Sequence, residues 1–359
     1  MSTVAVPATS PAPQTDGYRL NLKSDNVSGA HPNVIAALAQ AAQGTDNPYG
    51  DDAQTSALTA TLRDLFEAPD ALVVAMATGT GANALALASI APPYGTIYCH
   101  HKAHIAVDEC GAPEFFTGGA KLSLITGEHA KIDPVAFSTA ITGKGIVHKV
   151  QPAALNLTQA TEAGTVYTME EVKTLTEIAH SHGLPTHMDG ARFANAIARL
   201  GCSPADITWR AGIDVLSFGA TKNGCLAAEA LIFFKPALAE ATGFRRKRAG
   251  HLVSKGRVIS AQLNAYLADG LWLRMATHAN RMAQKLSAGL GALAGVQIHH
   301  PVDANVIFAS VPVPILDGLA ADGFGFYRWA DTEIRLVTSF DTPESGVDGF
   351  LASAARQAN

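Results

Sequence analysis

Between about residues 50 and 235, short apolar runs alternate with stretches whose apolar positions recur every three or four residues. After Asp51-Asp52, the residues Leu58, Leu62, Leu65 and Phe66 fall on one helical face. Ala71–Ala77 then reads as a strand and Ala82–Ile90 as a helix. Thr96–Cys99, Lys121–Ile125 and Gly145–Val150 are further strand candidates. Thr168, with Glu171 three residues on, is a capping box that opens a helix to about His182. A strand at Leu184–Met188, a helix at Ala194–Leu200 and strands at Ile213–Phe218 and Ala230–Phe234 follow. Strands this uniformly apolar, alternating with helices, predict an α/β fold with a mainly parallel sheet covered on both faces.

The pattern changes near residue 258. Two long helical stretches, Val258–Ala268 and Leu271–Leu290, precede a mixed segment with strands near Asn305–Ala309 and Glu333–Val337. The expected organisation is a tail at 1–16, a large domain at 17–257 and a smaller C-terminal α+β domain at 258–359. The tail is rich in Pro, Ala, Ser and Thr, lacks the charged start of a signal peptide, and is expected to be disordered.

Composition narrows the function classes. The chain is 48% hydrophobic and 16% charged, with a net charge of −5, which disfavours general affinity for nucleic acid. The apolar stretch Leu72–Ile90 is long enough to span a membrane. Gly79, Gly81, Thr78, Thr80 and Asn83 interrupt it, so strand, turn and helix describe it better. The four cysteines are scattered without metal-site spacing, which fits a reduced, cytoplasmic setting and predicts no metal.

Ligands of open α/β sheets collect beyond the carboxyl ends of the strands. Thr78-Gly79-Thr80-Gly81-Ala82-Asn83 follows the first strand and enters a helix, whose free N–H groups suit a phosphate. Asp189-Gly190-Ala191-Arg192 follows another strand, and Lys222 follows a third. Singly, these are a tight turn, an ion pair and a solvated lysine. Together they match the needs of pyridoxal 5′-phosphate: a phosphate cradle, a carboxylate for the pyridine nitrogen and a lysine for the Schiff base.

The stretches "SDNVSG" (Ser24–Gly29), "YGDD" (Tyr49–Asp52), "ATGTGAN" (Ala77–Asn83), "HMDGARFANA" (His187–Ala196) and "FGATKNG" (Phe218–Gly224) resemble the low-specificity L-threonine aldolases. "AHIAVDECGAPEFF" (Ala103–Phe116) and "LTQATEAGTVY" (Leu157–Tyr167) resemble the Pseudomonas-like branch. The resemblance implies the type I, transferase-like fold of pyridoxal phosphate enzymes. It also implies cleavage of L-threonine or L-allo-threonine to glycine and an aldehyde. Gly79, Thr80 and Gly81 would hold the phosphate, and Lys222 would carry the cofactor. Asp189 would face the ring nitrogen, Arg192 the ring oxygen and His104 the ring face. Ser24 and Arg335 would bind the substrate carboxylate. Gln159 stands where another branch has a histidine, so the expected base is His104, or a water held between His104 and Gln159. A homodimer or homotetramer with active sites at the dimer interface is implied.

The segment Arg245–Arg257 packs six Lys and Arg into thirteen residues. It reads as a nucleic-acid patch, a solvated helix face or, by the resemblance, a subunit interface in which Arg248, His251 or Lys255 meets the neighbour's phosphate. The competing functions are a phenylserine aldolase, a β-eliminating lyase or a transaminase on the same scaffold. A non-catalytic carbohydrate- or nucleotide-binding module is the rival from another class.

Overall fold

A short strand, β1 (Leu20–Asn21), opens the sequence of elements. In the computed structural model, which describes residues 17–358, the central sheet then has seven strands. They are β2 (Leu72–Met76), β3 (Gly95–His100), β4 (Lys121–Ile125), β5 (Gln151–Thr158), β6 (Thr186–Gly190), β7 (Val215–Gly219) and β8 (Glu229–Phe233). Their spatial order is β2-β8-β7-β6-β5-β3-β4. The β3–β4, β3–β5, β5–β6 and β6–β7 pairs are parallel; only β8 runs the other way, between β2 and β7. Every residue of β3, β6, β7 and β8 is buried, as strands covered on both faces must be.

Leu72–Ile90 resolves into β2 and the helix Gly79–Ile90, and no helix among the described residues is long and apolar enough to cross a membrane. Thr168 and Glu171 form the expected capping box of the helix Met169–Ser181. One expected strand is misplaced. Gly145–Val150 is turn, with Gly145 at φ +78°, and the strand is the next eight residues, Gln151–Thr158. Gln151 ends the turn, because its amide bonds the backbone at Gly143, Gly145, Ile146 and Lys149. The tail at 1–16 lies outside the described residues.

Beyond the helices Arg257–Leu267 and Leu271–Gly291 come β9 (Gln297–Ile298), β10 (Val306–Ser310), β11 (Phe324–Gly325), β12 (Tyr327–Arg328) and β13 (Glu333–Val337). β12, β13, β10 and β9 form an antiparallel sheet in that order. β1 pairs in parallel with β11, and Leu20 and Leu22 join Leu286, Leu316, Leu336 and Phe350 in one apolar cluster. The larger core is centred on Phe218, whose ring lies about 6 Å from those of Phe66, Phe193 and Trp272. Burying each such side chain contributes roughly 1.5–3 kcal/mol.

Candidate active site

The register of the central sheet puts the carboxyl ends of β2, β5, β6 and β7 on one edge: Met76 and Gly219 both pair with Glu229, Thr158 with Asp189, and Asp189 with Ser217. Four loops leave that edge together. Thr78 caps the helix after β2, its Oγ1 accepting from the Gly81 amide at 3.1 Å. The amides of Gly79 and Thr80, first in the helix, have no acceptor among the described residues. A Cβ on Gly81 would collide with the His251 ring and come within 2.9 Å of Thr78 Oγ1, so only glycine leaves room there.

Asp189 sits one residue before the end of β6, 2% exposed. Its Oδ1 accepts from the Ala191 amide at 3.0 Å and its Oδ2 from Asn83 Nδ2 at 3.0 Å. The same Asn83 nitrogen donates to Glu109 Oε1 at 2.8 Å. Glu109 in turn meets His104 Nδ1 at 2.7 Å. The Glu109 hydrogen bond holds the imidazole above its usual pKa against the opposing effect of burial, helped by Asp189 and Glu162 and countered by Lys222.

Lys222 lies in the turn Thr221–Asn223 after β7 and is half-buried. It takes part in no ion pair among the described residues, although its charge is felt by Asp25, Glu162 and Glu229. Arg192 is buried and forks onto Asp25, with Glu162 3.9 Å from its Nη1. Ser24, half-buried before the turn that carries Asp25, accepts from the Asn26 amide at 3.1 Å. Arg335, on β13, reaches over from the C-terminal sheet; its Nε is buried without a hydrogen-bond partner. Burial, then the neighbouring Arg192 charge, holds its pKa below the usual value. A cavity of about 590 Å³ opens beside it, lined among others by Glu162, Lys102, His299, Phe308 and Trp329.

The structure therefore gathers Gly79, Thr80, Gly81, His104, Asp189, Arg192 and Lys222 at the strand ends and turns Arg335 toward their surroundings. It does not bring Gln159 in. Gln159 is fully buried, and both ends of its amide are spent on Tyr167, donating to the carbonyl at 2.9 Å and accepting from the amide at 3.0 Å. These bonds tie the loop after β5 together. Sequence reasoning missed Asp25, Asn83 as a side-chain donor, Glu109 and Glu162. Asn83 and Glu109 lie inside quoted motifs, but their meeting depends on the fold. The basic segment also divides. Arg257 and Arg246 donate to the carbonyls of Ala41 and Ala75 in their own chain, and His251 sits against Gly81 of its own chain.

The beta-eliminating lyase family model matches residues 21–312. The chain belongs to that family. Within it, the chain is 43% identical to a low specificity L-threonine aldolase of a Pseudomonas species, over 92% of this chain and 95% of the relative. Identity is also 43% to the low specificity L-threonine aldolase of Pseudomonas aeruginosa, over 89% and 92%. A solved threonine aldolase of Leishmania major superposes with a TM-score of 0.89 at 28% identity, covering 95% of this chain and all of that one. The fold is the type I fold of pyridoxal phosphate enzymes, and pyridoxal 5′-phosphate is the cofactor. The residues present fit it. Two unpaired helix amides suit its phosphate, a buried carboxylate suits its ring nitrogen, and an unpaired lysine stands between them in the sheet edge.

Proposed function

We propose that this enzyme cleaves L-threonine, L-allo-threonine and related β-hydroxy-α-amino acids to glycine and an aldehyde by breaking the Cα–Cβ bond. The observation that carries this reading is the buried, unpaired Nε of Arg335, whose charge interacts with those of Arg192, Glu162 and Asp25. A guanidinium kept without a partner suits a carboxylate ligand, which it grips with two parallel hydrogen bonds.

When bound, pyridoxal phosphate supplies the electron sink that makes Cα–Cβ cleavage possible. Lys222 would hold it covalently, and the free amides of Gly79 and Thr80 would hold its phosphate. Asp189, its carboxylate steadied by Asn83 and the Ala191 amide, would face the ring nitrogen. Arg192, fixed by Asp25, would face the ring oxygen. Arg335 and Ser24 hold the substrate carboxylate, and this sets which bond at Cα is aligned for cleavage. His104 Nε2, which has no partner among the described residues, accepts the β-hydroxyl proton as the aldehyde forms.

The proposed assembly is a cytoplasmic homodimer or homotetramer with its active sites at the dimer interface, built of domains at 17–257 and 258–359. The deciding experiment measures products from L-threonine, L-allo-threonine and phenylserine. Free glycine with an aldehyde supports the proposal; a keto acid with aminated cofactor points to a transaminase and ends it. Phenylserine belongs in the panel because a cavity of about 590 Å³ far exceeds a methyl group.

A further inference from the structure

The buried chain His104–Glu109–Asn83–Asp189 joins the residue assigned to the substrate hydroxyl with the carboxylate assigned to the cofactor ring. One amide nitrogen, Asn83 Nδ2, donates to both carboxylates, at 2.8 and 3.0 Å. Burial, with Asp189 adding to it, pushes the Glu109 carboxyl up and by itself would favour the neutral acid. The hydrogen bonds to His104 and Asn83 oppose that push without reversing it. Glu109 Oε1 faces two nitrogens, the Asn83 amide and His104 Nδ1. The Asn83 amide nitrogen can only donate, so Oε1 accepts from it, and the Oε1–Nδ1 hydrogen bond holds one proton; with that proton on Nδ1, Nε2 is left as the free acceptor.

We propose that Glu109, held in place by Asn83, is the positioning residue that keeps the His104 proton on Nδ1 and leaves Nε2 to accept the substrate hydroxyl proton. This rests on the function proposed above. In the step, the hydroxyl proton moves to Nε2, its O–H pair becomes the second bond of the aldehyde carbonyl, and the Cα–Cβ bond breaks. One proton returns to Cα in glycine, so none is consumed. Without Glu109 the neutral imidazole is free to carry its proton on either nitrogen, and a ring with Nε2–H cannot act as a base. The charged groups facing His104 are Glu109 from its own segment, Asp189 from β6, Glu162 from the loop after β5 and Lys222 from the turn after β7. Of these only Glu109 bonds the ring.

The test begins with the unsubstituted protein free of cofactor, histidine-labelled with ¹⁵N, the His104 signals assigned by loss in His104→Asn. The neutral ring should show the Nδ1–H tautomer; an Nε2–H tautomer overturns the proposal and needs no Glu109 variant. Glu109→Gln should lower the His104 titration midpoint by roughly 1–3 pH units. In the holoenzyme it should carry the acidic limb of the kcat profile down with it, while kcat falls by roughly 10²-fold and KM stays within twofold. Glu109→Asp should restore part of the midpoint. A Glu109→Gln protein whose His104 titration and acidic limb stay in place overturns the proposal. If the unsubstituted enzyme releases no glycine from any β-hydroxy amino acid, the function reading fails, yet the tautomer and titration still decide the Glu109–His104 relationship.

Discussion

Arg192 donates to both oxygens of Asp25, from Nε at 2.7 Å and Nη2 at 3.1 Å, with both side chains buried. Asn305 adds a third bond, from Nδ2 to Asp25 Oδ2 at 3.0 Å. Burial alone would raise the Asp25 carboxyl, but the Arg192 and Lys222 charges and the hydrogen bonds outweigh it and hold it below its ordinary value. A depressed carboxylate stabilises the fold above its unfolded pKa, and that contribution is lost as pH falls through the folded one. Asp25→Ala strips the buried guanidinium of its two hydrogen bonds, leaving Glu162 at 3.9 Å, and should cost roughly 3–5 kcal/mol. Urea unfolding of the cofactor-free protein at pH 7 checks this; a loss under about 1 kcal/mol would sink the claim.

Lys222→Ala should bind pyridoxal phosphate without the visible band of lysine-bound cofactor. Borohydride should fix no label to the chain, and glycine release should fall to background. Lys102, just past β3 and lining the cavity beside Arg335, is the other lysine near this sheet edge, and the borohydride label distinguishes it from Lys222. Retention of both the band and the borohydride label in the variant would show that another lysine carries the cofactor.

Arg335→Ala should raise KM for L-threonine roughly 10–100-fold, the loss of about 1.5–3 kcal/mol expected when a hydrogen-bonded charge partner is removed. Arg335→Lys should recover little, because a point charge does not replace the planar fork. Steady-state kinetics decide the matter. An unchanged KM in both variants would move the carboxylate site away from Arg335.

Glu229, fully buried at the start of β8, accepts from the Ala220 amide at 3.2 Å. Burial pushes its carboxyl up to about 7, against the Thr221 hydrogen bond and the Lys222 charge. The folded protein therefore keeps a proton that the unfolded chain releases. Stability contributed by Glu229 is full below about pH 4.5 and falls as pH rises to about 7, by ~3 kcal/mol in all. Between pH 5.5 and 8 the cofactor-free wild type should lose stability relative to Glu229→Gln. Parallel pH dependences for the two proteins would contradict this.

Local chemistry was what the sequence made legible. Thr168 and Glu171 announced their helix because a capping box is a contact between near neighbours. Lys121–Ile125 and Glu333–Val337 appear with the bounds their apolar patterns predict. The candidate site was legible at β6 and β7, where Asp189 and Lys222 stand at or just past the strand ends. What escaped was long-range. Glu109 and Asn83 are 26 residues apart and meet only when a strand and two loops fold between them. The bonding of the Gln159 amide to the Tyr167 backbone at both ends escaped as well, since the motif does not show it. The reversed direction of β8 left no mark either, since a strand buried on both faces has the same apolar pattern in either sense.

The pairing of Leu20–Asn21 with Phe324–Gly325 sets a schedule for biosynthesis. A ribosome makes the N-terminal strand and Asp25 first, but Asn305 emerges 280 residues later. At ~5–20 residues per second that is a wait of roughly 15–60 s, during which a buried-to-be carboxylate and two leucines stay in solvent. The Gly79–Gly81, Asp189 and Lys222 elements can dock while translation continues. The strand just before Ser24 and Asp25 can pair with β11 only after Phe324–Gly325 has left the ribosome.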